Sequence, residues 1–186
     1  MPGCVQLVDI LKDSESLSLV FPYYPLGDLE SYIRRVNPDK KVLPEPVAKV
    51  VFAQAVKAVM ELHKRGIIHR DLKKQNILVE ADVEDPTLNE TRLTLHLCDF
   101  GFSVKTKELL KENKFSQVGT LSYFPYEMVY KENRAVGKDR KIIYGGYDER
   151  IDIWTLGVML YSILYYRYPF DANGGKEAIK ARIKKL

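Results

Sequence analysis

The sequence predicts an α+β fold, mainly helical with a few short strands, and three observations predict it. Val5–Lys12 and Ser16–Phe21 are short runs with branched apolar residues, and Asp13-Ser14-Glu15 between them is turn chemistry, so the pair reads as a β-hairpin. From Pro46 to Arg65 the apolar positions Val47, Val50, Val51, Ala55, Ala58, Val59 and Leu62 fall at helical spacing. Ile153–Tyr166 is the most apolar stretch, and Asp152 at its head and Arg167 at its end mark it as a buried core helix.

The remaining elements follow in order. Pro22, Pro25 and Gly27 make a linker after the hairpin. Asp28–Arg35 reads as a short helix that ends before Pro38. Pro46 suits the first turn of the long helix and Gly66 its C-terminal stop. Ile77–Val79 and Leu93–Leu97 read as two further strands. Glu80–Thr91 between them has five acids and no base and reads as an exposed loop. Lys131–Lys141, with five bases and two acids, reads as a second surface insertion, and no internal repeat occurs.

Composition narrows the class. A chain of 186 residues suits one domain and can bury a sizeable core. With 46% hydrophobic and 29% charged residues, it is neither a disordered nor a collagenous chain. Two cysteines, Cys4 and Cys98, make no disulfide framework and no zinc site, and a reducing compartment fits them. The net charge of +4 is carried by five bases and one acid between Lys176 and Leu186, so the rest is formally neutral. That is a solvated helix face rather than a nucleic-acid footprint, which spreads across a domain. No basic, apolar leader opens the chain, and Ile153–Tyr166 is shorter than the ~20 residues a bilayer needs. An intracellular protein is expected, cytoplasmic or nuclear, with neither membrane nor nucleic acid as partner. Asn89-Glu90-Thr91 matches a glycosylation sequon, which without a secretory signal reads as chance.

Motifs carry the chemistry. His69-Arg70-Asp71-Leu72-Lys73-Lys74-Gln75-Asn76 follows the long helix, and Asp99-Phe100-Gly101 follows the second strand of the later pair. Gly119-Thr120 and Pro125-Tyr126-Glu127 come next, then Asp152-Ile153-Trp154-Thr155-Leu156-Gly157 and Tyr168-Pro169-Phe170. Singly, Asp71 and Asn76 could be turn caps. In this order the set resembles the catalytic loop, the DFG segment and a variant APE segment of the eukaryotic protein kinase family, Ser/Thr type. The resemblance covers essentially the whole chain. A P-loop enzyme is excluded by the lack of GxxxxGK[ST]. A small-molecule phosphotransferase of related fold would share the Asp…Asn loop but not the Gly119-Thr120…Glu127 segment.

The resemblance implies transfer of the ATP γ-phosphoryl group to Ser or Thr hydroxyls of a protein substrate. Asp71 would accept the hydroxyl proton, Lys73 would steady the γ-phosphate, and Asn76 and Asp99 would hold Mg²⁺, a hard cation that takes oxygen ligands. Lys73 and Thr120 match the Ser/Thr pattern, and the bulky Phe102 resembles kinases that prefer Ser. Pro22 and Tyr24 in the hinge would meet adenine, with Phe21 as gatekeeper, Leu78 as the adenine floor and Asp28 near the ribose. Cys98 would face the nucleotide pocket, or serve as a small buried hydrophobe. Ser116 stands where such kinases carry an activating phosphate, with Arg70 as its partner, or it is an ordinary loop serine. His69, Phe100 and Leu7 resemble spine residues. Asp152 would hold the catalytic-loop backbone, cap its helix, or both.

Departures from the family pattern are equally readable. No glycine-rich phosphate loop, strand lysine or partner glutamate occurs. The resemblance therefore implies a partial domain: a hairpin remnant of the small lobe at 1–21, a hinge at 22–27 and a truncated large lobe at 28–186. Such a chain would bind ATP weakly and turn over little by itself. Glu127 would lack its arginine partner, leaving apolar surface for a further partner to cover. The alternative is a catalytically impaired kinase-fold scaffold or binding module.

Overall fold

The computed structural model describes residues 1–80, 93–112, 117–129, 135–136, 142–143, 147–170 and 175–185. The insertion residues 81–91, most of 131–141, and Ser116 lie outside the described residues. The chain divides into two compact units, residues 1–61 with 74–99, and residues 62–73 with 100–186.

In the first unit the hairpin forms as β1 (Asp9–Lys12) and β2 (Leu17–Val20), antiparallel, with Asp9 opposite Val20 and Lys12 opposite Leu17. Its turn is locked by Asp13, whose carboxylate accepts the Glu15 and Ser16 N–H groups at 2.8 and 2.7 Å and the Ser16 hydroxyl at 2.8 Å. Ile10, Leu11, Leu17 and Leu19 stand exposed on it, and Leu7 before it is 47% exposed. Helix α1 (Leu29–Val36) starts one residue later than the sequence suggests because Asp28 is its N-cap, accepting the Ser31 N–H at 2.9 Å. Helix α2 (Glu45–Lys64) buries Val47, Val51, Ala55, Ala58 and Val59, the spacing read from sequence.

Strand β3 (Ile67–Ile68) belongs to the second unit, while β4 (Ile77–Glu80) and β5 (Thr94–Leu97) pair antiparallel in the first. Backbone rungs extend this ladder on both edges. Val5 N–H donates to Leu97 O at 2.9 Å and Leu97 N–H to Gly3 O at 2.8 Å; Val79 N–H donates to Gly27 O at 2.9 Å. Gly3 has φ +74°, and a Cβ there would lie 2.7 Å from Ala58 Cβ, so only glycine admits α2 this closely. Gln54 on α2 ties helix to strand. Its Nε2 donates to Leu93 O at 2.7 Å, and its Oε1 accepts Leu95 N–H at 3.1 Å.

In the second unit β3 pairs with β6 (Val104–Lys105), and α3 (Thr106–Glu112) follows directly. Neither the β3–β6 pairing nor α3 is legible in the sequence. Helix α4 (Tyr126–Val129) opens after Pro125, whose carbonyl accepts from Met128 and Val129. A two-residue ladder, β7 (Ala135–Val136) with β8 (Ile142–Ile143), lies in and beside the basic insertion. One core gathers Ile68, Leu109, Met128, Tyr147 and Ile151; another gathers Val129, Ile179 and Ile183. Ile179 and Ile183 lie on α6 (Gly175–Ile183), whose Lys180 pairs with Glu177 at 3.0 Å, while Arg182, Lys184 and Lys185 are exposed.

Helix α5 (Arg150–Tyr165) corrects two expectations. It is not buried all round: Ile153 is 55% exposed, and an open apolar groove of about 560 Å³ runs along that side, lined by Glu127, Trp154, Tyr161 and Phe170 among others. Nor is Asp152 its cap. The helix begins two residues earlier, where Asp148 accepts the Arg150 N–H at 3.0 Å. Among the described residues no helix is long and apolar enough to cross a membrane.

Candidate active site

The motif loop from His69 to Lys73 lies in the second unit and is held by one buried carboxylate. Asp152 is 0% exposed. Its Oδ2 accepts the His69 N–H at 2.9 Å and its Oδ1 the Arg70 N–H at 3.0 Å. His63 Nε2, on the last turn of α2, sits 2.9 Å from the same Oδ2. A buried charge survives only with such donors around it, so the loop and the aspartate stabilise each other. Asp152 thus holds the catalytic-loop backbone, as one of its two sequence readings has it.

The anchored backbone turns sharply. Arg70 has φ +70°, a conformation costing a non-glycine residue about 1–3 kcal/mol that its surroundings must offset. Its Nε donates to Phe102 O at 2.5 Å and its Nη1 to the Tyr147 hydroxyl at 2.9 Å. Asp71 N–H donates to His69 Nδ1 at 3.3 Å, and the His69 ring packs on Phe100 with centroids 5.2 Å apart.

These constraints aim Asp71. Its carboxylate is nearly buried, and Lys73 and Thr120 are among its partners. Lys73 Nζ lies 2.6 Å from Oδ2, and the Thr120 hydroxyl donates to Oδ1 at 2.9 Å. Lys73 Nζ also donates to Thr120 Oγ1 at 3.2 Å, closing a triangle. Gly119, at φ +104°, makes the closure possible, since a Cβ there would be 2.5 Å from Arg70 O and 3.3 Å from Asp71 Oδ1. The result is an ionised acceptor beside a fixed cation, suited to orienting a hydroxyl and receiving its proton.

The other expected residues lie in the first unit: Pro22, Tyr24, Asp28, Asn76, Leu78, Cys98 and Asp99. Asn76 ends a 3₁₀ turn, Lys74–Asn76, and is buried; its carbonyl accepts the Cys98 N–H at 3.0 Å, next to Asp99. Asp99 is exposed and, at φ +58°, strained. Leu78 is half-buried in β4 and bridged to Asp28. Asp28 divides its carboxylate between the two Ser31 donors, leaving each oxygen a further lone pair. The Tyr24 ring packs on His96 at 4.8 Å, and burial, then the Glu80 charge, pushes its phenol pKa up. Cys4 is buried and Cys98 half-buried, and the two form no disulfide.

Comparison with known proteins decides the family, because a protein kinase domain matches residues 1–186. The chain belongs to the protein kinase family. It is 34% identical to the serine/threonine-protein kinase ULK3 of Homo sapiens over 176 residues, 95% of this chain and 32% of that protein. It is 32% identical to the Aurora kinase of Schizosaccharomyces pombe over 182 residues, 98% of this chain and 43% of that protein. It is 32% identical to the cell cycle serine/threonine-protein kinase CDC5/MSD2 of Saccharomyces cerevisiae over 185 residues, 97% of this chain and 22% of that protein. The chain therefore spans about a third of the length of ULK3.

Several residues of this kinase domain escape sequence reasoning. His63 reads as one more residue of a helix end, yet it touches Asp152, 89 positions on. Tyr147 lies between an insertion and α5, and its contact with Arg70 singles it out. Lys74 reads as a loop lysine but is buried against Glu30 at 2.6 Å. A second lysine beside the loop's own Lys73, two residues before Asn76, is the faint signal in the sequence.

Proposed function

We propose that the protein transfers the γ-phosphoryl group of ATP to Ser or Thr hydroxyls of a protein substrate. The observation that carries this reading is the Asp71–Lys73–Thr120 triangle, a nearly buried carboxylate held by an ammonium and a hydroxyl. Asp71 accepts the proton of the incoming hydroxyl, while Lys73 offsets its charge and contacts the transferred phosphoryl group. Thr120 fixes the second carboxylate oxygen and, with Phe102, sets the choice of acceptor.

Asn76 and Asp99 supply the oxygen atoms that a hard divalent cation takes, and the Cys98–Asn76 hydrogen bond ties their two segments together, so these residues fit Mg²⁺. When bound, the ion neutralises charge on the phosphates. Pro22 and Tyr24 meet adenine through the backbone, Leu78 floors the base, Cys98 borders it, and Asp28 takes the ribose. In this reading residues 1–21 belong to a small-lobe hairpin, 22–27 to the hinge and 28–186 to the large lobe. Ser116 is the proposed activating phosphosite, with Arg70 as its partner.

The test is phosphoryl transfer from labelled ATP to Ser, Thr and Tyr peptides by the full-length protein. Label is expected on Ser and Thr, and Asp71→Asn should cut turnover ~10²–10⁴-fold, the scale of a positioned base. Nucleotide binding without Asp71-dependent transfer would instead support a binding module.

A further inference from the structure

We propose that Lys74 and Glu30 form a positioning pair that fixes Asn76 for the metal ion that accompanies the nucleotide. The inference rests on the reading of Asn76, Asp28 and Asp99 given above.

Lys74 is 3% exposed, and lysine is almost never so buried without a partner. Its Nζ lies 2.6 Å from Glu30 Oε2. Glu30 Oε1 receives Arg34 Nε at 3.0 Å, so the carboxylate is held from both sides. Position explains the consequence. Lys74 opens the 3₁₀ turn that Asn76 closes, and Glu30 lies in the first turn of α1, two residues beyond Asp28. Just beyond Asn76, backbone bonds already sew this region together: Asp28 bridges Leu78, and Gly27 O accepts the Val79 N–H at 2.9 Å. The ion pair adds a second clamp on the near side of Asn76. The turn is thereby held at both ends against the helix that carries Asp28.

Stability alone is a weak reason for such a pair. Replacing both partners of a buried ion pair by apolar residues is often neutral. A buried ion pair closed to 2.6 Å does what apolar packing does not: it fixes the separation of the two segments that carry it. Removing both charges therefore separates the two roles.

The experiment titrates ADP, with and without Mg²⁺, into the full-length protein by calorimetry. It compares wild type, Lys74→Met and Lys74→Met/Glu30→Met, with the thermal midpoint of each recorded. The double variant guards against a single variant that fails to fold, because it leaves no lone buried carboxylate. Expected is a roughly tenfold weaker Kd for ADP with Mg²⁺ in both variants, the scale on which residues behind a metal ligand act. The Kd without Mg²⁺ and the midpoint of the double variant should stay near wild type. A double variant with wild-type Mg²⁺-dependent affinity overturns the proposal and leaves the pair a packing device. Equal losses with and without Mg²⁺ also overturn it. A wild-type protein whose ADP affinity ignores Mg²⁺ overturns it together with the nucleotide reading of Asn76 and Asp99. That failure is distinct, since it appears before any substitution is made.

Discussion

The two units of this kinase domain hold their candidate functional residues in different ways. In the first, residues 3–5, 27–28, 77–80 and 94–97 are joined by backbone rungs. Leu78 and Asp28 take their places on that ladder through the backbone bridge between them, and Cys98 follows it with its N–H on Asn76 O. In the second, Asp71 is aimed by side chains: Asp152 on the loop backbone, Thr120 and Lys73 on the carboxylate, Tyr147 and Phe102 on Arg70. The difference teaches where each part is fragile. A ladder loses one rung at a time, whereas a buried charge network fails when one member leaves.

The largest expected effect follows from that contrast. Asp152→Ala strips the acceptor from two loop N–H groups and from His63 at a wholly buried site. It should cost about 3–5 kcal/mol, read by denaturant unfolding, and abolish phosphoryl transfer. Gln54→Ala sharpens the comparison from the other unit. It removes the amide that bridges α2 to Leu93 and Leu95, and should cost about 1–3 kcal/mol. A Gln54→Ala cost equal to that of Asp152→Ala would break the contrast.

The smallest effect is a pH response of the β1–β2 hairpin. The Glu15 N–H first, then the Ser16 hydroxyl and N–H, hold the Asp13 carboxyl below its ordinary 3.8. A depressed carboxyl contributes stability that is present above the unfolded value and lost as pH falls through the folded one. The Glu15 and Ser16 amide resonances should therefore shift only below about pH 4, and Asp13→Asn should remove that shift. A transition near neutrality would assign the turn to another group.

How far the site could be read from sequence depends on range. The loop from His69 to Asn76 and the helix at 45–64 are local patterns, and local patterns are visible in one dimension. Gly119 shows the limit. Its need for glycine comes from Arg70 O, 49 positions before it in the chain, which no turn rule reports. Asp152 was open to two readings because a cap and a buried anchor can look alike at a helix start. The start at Arg150, with Asp148 beside it, separates them. The β3–β6 pairing was invisible because two residues are too few to show a period.

The sequence by itself determined the α+β class, the long helix, the hairpin and the motifs that mark the kinase family. Each follows from spacing, turn chemistry or residue type, which neighbouring positions encode. Tertiary structure alone decided what surrounds those residues: His63 and two loop amides on Asp152, Glu30 on Lys74, Thr120 on Asp71. These contacts join positions some 44 to 89 residues apart. Burial gives such groups their strength, because a charge out of water must find its donors within the fold.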